Sequence, residues 1–362
     1  MTVRDLATLP KAHLHLHFTG SMRLSTSQTL AQASGIRLPQ RLGASQALNL
    51  APDARGWFRF QRLYDAARQV VVGEAALRRV VQEAAEDDAA EGSGRLELQI
   101  DPSNYASQVG GLTPALEIVL DQAKLASATT GVEVALVVAA SRTRHPLEAR
   151  TLARLAAKHA GSGPGEVVGF GLSNDELRGE TADFAPAFAM ARQAGLLAVP
   201  HAGELLGADH VRTVIRQLQP DRLGHGVRAY EQPAVLAEVA QRGIAMELCP
   251  TSNLALGVFS RPEDFPLEPI LQAGVTVALG ADDPLIFGSR LVDQYSLMRK
   301  VFGLADAELA ELARSSVKAS RAGPTTVTRL LAGIAAWETD QDWLGGQPDP
   351  KGGHDPGLDD PS

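Results

Sequence analysis

Three histidines stand at alternate positions near the start of the chain, His13, His15 and His17, in the stretch KAHLHLHFTGS (11–21). On a β-strand alternate side chains share a face, so the three rings are expected to point the same way. A buried imidazole needs a hydrogen-bond partner or a metal. Taken alone, the triplet reads more readily as a solvated strand face or a chance cluster of histidines than as a metal-binding edge. Further along, HAGE places Glu204 three residues after His201, GHG frees the backbone around His225, and GADDPLIFG sets Asp282 and Asp283 side by side before Pro284. Each has a structural reading too. Glu204 could be an acid at a helix N-terminus, and the aspartates an Asx-type turn. Together they form a set of imidazoles and carboxylates suited to zinc, which takes nitrogen and oxygen donors.

Such residues act together only if the fold brings them to one place. Short apolar runs recur at 12–17, 95–100, 132–140, 166–172, 195–201, 221–226, 243–249 and 274–280, separated by Ala-rich amphipathic stretches such as AALRRVVQEAAEDDAAE. Alternating strand and helix patterns imply a parallel sheet. Eight such units predict an α/β fold, a (β/α)8 TIM barrel, with catalytic residues at the C-terminal strand ends. His15, His17, the 173–176 segment, His201–Glu204, His225 and Asp282–Asp283 all fall at those ends. The connection from about 21 to 94 is too long for one barrel helix and predicts a helical lid inserted after the first strand. Within it Trp57, Phe60 and Tyr64 are spaced to share one helix face, either as a packing stripe or as an apolar roof over a planar ligand. Residues 1–340 read as a single barrel. The Gly-, Pro- and Asp-rich stretch 341–362 reads as a disordered tail.

The 362 residues carry 34 Lys and Arg against 42 Asp and Glu, a formal charge of -8. No basic stripe suggests a nucleic-acid partner, no apolar run is long enough to span a membrane, and the N-terminus lacks the pattern of a signal peptide. The single cysteine, Cys249, excludes an intramolecular disulfide framework and any Cys-rich zinc site. These features predict a cytoplasmic enzyme.

The segments PKAHLHLHFTGS, GFGLSNDE, PHAGE, RLGHG, ELCPTSN and GADDPLIF, in that order from Pro10 to about Gly288, resemble the signature segments of the adenosine deaminase family within the amidohydrolase superfamily. The resemblance implies one zinc ion per chain, held by His15, His17, His201 and Asp282. It implies His225 and Asp282 as the groups that orient water, and Glu204 as the acid that protonates N1 of a purine. Asp283 would meet purine N7. The substrate it implies is a 6-aminopurine nucleoside, most simply adenosine or deoxyadenosine, converted to inosine and ammonia. His13 stands where relatives often carry Glu and reads as supporting rather than ligating. Binuclear amidohydrolases use a bridging Lys at the end of strand four; EVVGFGLSNDE has none. The H-x-E with P-C-x-x-C pattern of cytidine-type deaminases is ruled out by the lone cysteine.

Departures from the family pattern fall mainly on the sugar side. Thr19 stands where well-known members carry Asp or Glu, Asn174 where many have Gly, and Thr143 where a His often reaches the sugar, unless His145 substitutes. With Trp57, Phe60 and Tyr64 these residues are the expected pocket wall. They leave open a 5′-modified adenosine such as aminodeoxyfutalosine, or adenine itself. A non-catalytic binder that keeps the barrel and a binuclear hydrolase of esters or lactams are the readings from other classes.

Overall fold

A computed structural model describes residues 4–40, 42, 50–51 and 54–339. The expected tail, 341–362, lies outside the described residues. Eight strands follow one another: β1 (Lys11–His17), β2 (Ser93–Ile100), β3 (Glu133–Ser141), β4 (Val167–Ser173), β5 (Leu197–Ala202), β6 (Arg222–His225), β7 (Ala245–Leu248) and β8 (Val277–Leu279). They form one parallel sheet in sequence order. Between β1 and β2 lie α1 (Leu24–Ser34), α2 (Ala54–Gln69) and α3 (Gly73–Ala90). After β2 to β6 come, in turn, α4 (Leu112–Thr130), α5 (Pro146–Lys158), α6 (Thr181–Gln193), α7 (Ala208–Leu218) and α8 (Pro233–Gln241). β7 is followed by α9 (Pro250–Ala255) and α10 (Leu267–Gln272), and β8 by α11 (Pro284–Phe287), α12 (Leu291–Phe302), α13 (Asp306–Ala319) and α14 (Pro324–Thr339). This is the expected (β/α)8 barrel, and all eight strands fall on the apolar runs read from the sequence. Among the described residues no helix is long and apolar enough to cross a membrane.

The strands have two faces because side chains alternate. In β3, Val134, Leu136, Val138 and Ala140 join the large core beneath the helices, while Ala135 and Val137 form a separate core with Val168 and Val199 inside the barrel. In β2 the alternation runs the same way with different chemistry. Leu96, Leu98 and Ile100 face the helix layer, and Arg95, Glu97 and Gln99, at most 7% exposed, take the other face. α7 shows how the helices meet this wall: Val211, Val214, Ile215 and Leu218 recur at helical spacing and are all buried.

The last seam closes at the chemistry. Asp282, just past β8, donates its N–H to the His15 carbonyl at 3.1 Å and accepts from the His17 N–H at 3.0 Å. α13 packs against both β1 and β8, and its Ser316 hydroxyl accepts from the Ala12 N–H at 3.0 Å.

The packing of helix on sheet is tested at α6, where Phe188 meets Phe170 of β4 edge to face, ring centroids 5.2 Å apart and both rings fully buried. Phe188→Ala is expected to cost about 3–5 kcal/mol in denaturant unfolding. A loss below about 1 kcal/mol would contradict this packing role, since it would be less than the transfer term of the ring alone.

Candidate metal and catalytic centre

The strand ends bring His15, His17, His201 and His225 into one ring. Centroids are 5.2 Å apart for His15 and His17, 4.9 Å for His15 and His201, 4.8 Å for His15 and His225, and 5.1 Å for His201 and His225. This crowding requires bare backbone beside it. A Cβ on Gly224 would stand 2.5 Å from the His201 ring and 3.1 Å from that of His15, so only glycine fits between them. The chain also takes left-handed backbone at three non-glycine residues at these strand ends: Asn174 (φ 79°), His225 (φ 65°) and Asp282 (φ 61°). Conformations of this kind cost on the order of 1–3 kcal/mol each and persist where the surrounding structure enforces them.

His13 does not join the ring. Its Nδ1 lies 2.9 Å from Asp88 of α3, and its Nε2 accepts from the Ala281 N–H at 3.1 Å. The β1–β2 pairing slips between His13 and Leu16, while Ala12, Leu14 and Leu16 all join the large core, as the alternation predicts. His13 instead ties the seam to the helix layer.

The carboxylates complete the centre. Asp282 Oδ1 is 3.1 Å from His17 Nε2 and 3.5 Å from His15 Nε2, while its Oδ2 accepts from the Ser252 hydroxyl at 2.6 Å. Burial would push the Asp282 carboxyl up, but the His15 and His17 rings outweigh it and hold the group well below the usual carboxylate range. Burial lowers His15 too, yet Asp282 and Glu247 raise it to about 10. His201 is driven well below its ordinary value by burial and by the His15, His225 and His17 rings. Burial and His15 take His225 down to about 3.

These residues fit a cation. One donor atom from each of His15, His17 and His201 lies within 4.8 Å of the others, and the same holds for His17, Asp282 and Asp283. Donors around a tetrahedral zinc at 2.0–2.2 Å sit roughly 3.4 Å apart, so a small inward movement of the rings suffices. His15 Nε2 is buried with no hydrogen-bond partner, so a metal that displaces its proton would meet no competing bond there. Competing demand comes from Gln99, whose amide nitrogen is 3.0 Å from His17 Nδ1 and 3.2 Å from His201 Nε2.

Two further acids flank the ring. Burial pushes Glu204 well above the usual carboxylate range, and Asp282 and Glu176 add to it. Glu204 Oε2 lies 3.5 Å from His225 Nε2. Asp283 is likewise raised by burial and by Asp282, and its Oδ1 is buried without a hydrogen-bond partner. The backbone that carries Glu204 is fixed by Glu176, which accepts from the N–H groups of Glu204, Leu205 and Leu206 at 3.1, 2.9 and 2.6 Å. The chain after β5 makes a turn here, not the helix N-terminus of the structural reading; α7 starts at Ala208.

A cavity of about 300 Å³ opens above the ring, lined by His17, His201, Glu204, His225, Asp282 and Asp283 at its base and by Trp57, Phe60, Tyr64, Asn174 and Thr143 on its walls. α2 thus brings its aromatic stripe to the cavity; Phe60 also stacks on Phe287, centroids 5.5 Å apart. Thr19 sits one layer back, its hydroxyl 2.5 Å from that of Tyr105, and Tyr105 reaches the cavity in its place. His145 is turned to the start of α5, where it accepts from the Leu147 N–H. Sequence reading assigned no role to Gln99, Tyr105, Glu176, Glu247 or Ser252. Glu247 and Ser252 lie within the quoted ELCPTSN, and Gln99 on the polar alternation of RLELQI; Tyr105 carried no local signal.

Comparison with known proteins places these observations among relatives. A sequence model described as adenosine deaminase matches residues 10–337. The chain is 56% identical over 337 residues to a candidate adenosine/adenine deaminase of Streptomyces virginiae, covering 93% of this chain and 98% of that one. It is 32% identical over 326 residues to an adenine deaminase of Mesorhizobium japonicum, covering 89% and 97%. The crystal structure of an adenine deaminase from Arthrobacter aurescens superimposes with a TM-score of 0.82 at 26% identity, covering 91% of this chain and 99% of that one.

The Glu176 anchor gives a test of this geometry. Glu176→Gln leaves one acceptor oxygen for three N–H donors, and charge-assisted bonds are worth about 1.5–3 kcal/mol. Urea unfolding should register a loss of about that size; unchanged stability would contradict the anchoring role.

Proposed function

The chain belongs to the adenosine deaminase family, and from that premise we propose that it catalyses zinc-dependent hydrolytic deamination of a 6-aminopurine nucleoside, adenosine before others, with one zinc per chain held by His15, His17, His201 and Asp282. The observation that carries this reading is the pairing of two raised acids, Glu204 and Asp283, with a ring of imidazoles whose free nitrogens converge. A binder would have no use for two buried carboxyl groups raised in this way beside a cation site.

A zinc at those four ligands supplies a Lewis acid that brings the pKa of water towards about 7. The chain's own groups do the rest. Glu204, whose hold on a proton burial strengthens, can donate to N1 of the purine, which draws electron density from C6. His225, held neutral, can take the proton of the attacking water. Asp283, raised by burial and by Asp282, can share a proton with N7, an acceptor, and so fix the ring in register. Oxygen bonds to C6, the amino group takes the proton held by His225 and leaves as ammonia as the C6–N bond breaks, and the C6 hydroxyl proton returns to Glu204, which gives the 6-oxopurine with a proton on N1. Trp57, Phe60 and Tyr64 form the roof, so α2 serves as the lid of the site.

A second reading has its own support. Arg68 and Arg144 both line the cavity, paired with Asp65 and Glu148 respectively, and Tyr105, in front of Thr19, adds a hydroxyl to that wall. This wall suits a 5′-extended adenosine with an anionic end, of which aminodeoxyfutalosine is one. The adenine deaminases among the relatives make the free base the third candidate.

The test is a side-by-side ultraviolet assay of zinc-loaded protein on adenosine, 2′-deoxyadenosine, adenine and aminodeoxyfutalosine, following conversion of the 6-aminopurine to the 6-oxopurine. Adenosine as the best substrate by kcat/KM is the expected result. A clear preference for the 5′-extended compound would move the assignment to the second reading, and no turnover of any of the four would defeat both. In the same assay Glu204→Gln should lower kcat by at least about 10²-fold, the usual scale of a lost general acid. Near-normal turnover would remove Glu204 from that role.

A further inference from the structure

Inside the barrel, a row of alternating charges runs from the centre towards the opposite end of the strands. His15 Nδ1 lies 2.8 Å from Glu247 Oε2. The other oxygen, Glu247 Oε1, lies 2.7 Å from Arg222 Nε, and Arg222 Nη2 lies 2.6 Å from Glu97. Glu97 in turn meets Arg95 at 3.1 Å and accepts from the Arg321 N–H at 2.7 Å. Arg222 is held at its far end by the Ala319 carbonyl, 3.0 Å from Nη1. Arg95, Glu97, Arg222 and Glu247 are at most 1% exposed.

Packing does not demand this row. The neighbouring strands fill the barrel interior with Ala135, Val137, Val168 and Val199. Buried ion pairs are often no better for stability than apolar side chains of similar volume. What the charges can do that valines cannot is act on His15. When His15 gives up its second proton, as a ligating imidazole must, the Glu247 carboxylate 2.8 Å from Nδ1 can only accept and holds the remaining proton there. That leaves Nε2, the buried atom with no hydrogen-bond partner, as a lone pair facing the centre. Arg222, a permanent cation, pins the carboxylate from behind.

We propose that Arg222 is a positioning residue that, through Glu247, fixes the tautomer and orientation of His15 for metal binding. The proposal rests on the reading of His15 as a metal ligand. It extends that reading from the strand end to residues about one barrel layer away, in β6 and β7. Arg222 touches neither substrate nor metal; its effect passes through one carboxylate. Partners of this kind behind a ligating histidine commonly change metal affinity by 10–100-fold.

The experiment measures the zinc dissociation constant by competition with a chromophoric chelator, without reference to turnover, for the wild type, Arg222→Gln, Glu247→Gln and Arg222→Lys. The visible spectra of the cobalt(II)-loaded proteins give a second readout. The expected result is tight zinc in the wild type, weakened about 10–100-fold by either Gln variant with an altered cobalt spectrum, and largely regained in Arg222→Lys. Glu247→Gln keeps the volume and one acceptor oxygen, so it carries the test if Arg222→Gln does not fold. Tight wild-type zinc with affinity within about twofold in the folded Gln variants, even if their zinc-free forms unfold more easily, would overturn the proposal and make the row purely structural. Failure of the wild type itself to hold zinc would overturn the reading of His15 as a ligand, and is seen separately in the same titration.

Discussion

The hydrogen bonds that close the barrel are also the bonds that assemble its chemistry. Asp282 gives its N–H to His15 and takes that of His17, so the seam between β8 and β1 cannot form without setting one carboxylate against two imidazoles. The same residue is held at φ 61°, a strained conformation for aspartate that the seam enforces. A cylinder of eight strands has no free edge, which leaves the position of each strand end determined by all the others. Four histidines from β1, β5 and β6 can therefore be gathered with three of the rings within about 5 Å of the fourth, His15, despite the mutual repulsion they would have if charged. The acid–base pattern follows from that crowding: carboxylates raise His15, while the neighbouring rings and burial lower His201 and His225.

The interior of the barrel is divided by polarity. One part is a small aliphatic core on β3, β4 and β5. The other is the charged row on β2, β6 and β7, which ends at His15. Rigidity on the first side and an aligned field on the second suit a site that must hold several ionisable groups in states they would not adopt in water. Burial pushes Glu204 and Asp283 up, the His15 and His17 rings pull Asp282 down, and the three side chains share one cavity. Groups pushed in opposite directions within a few ångströms are the pattern expected where protons must move in a set order.

The architecture was legible because the strand and helix periods differ and each element buries an apolar face. Every strand was visible in that way, and the ligand-type residues could be placed at strand ends by position alone. Three things were not legible, each for a physical reason. Alternation in RLELQI announces a strand but is symmetric between its two readings, so Arg95, Glu97 and Gln99 could equally have faced solvent. The partners of His13, Asp88 and Ala281, are distant in sequence, and the slip in the β1–β2 pairing beside it has no local signal. Thr19 was expected at the sugar; Tyr105, brought in by the segment after β2, stands in front of it. Glu247 and Ser252 show the reverse case. They lie in a recognised segment, but their roles depend on which histidine and which aspartate they meet across the barrel.

The central claim is that the seam residues and the strand-five histidine form one metal centre. The most direct measurement is an anomalous difference map from crystals of the zinc-loaded protein, collected above and below the zinc absorption edge. The account predicts one peak per chain, within bonding distance of His15, His17, His201 and Asp282. Two peaks, none, or a single peak away from those four side chains would contradict it.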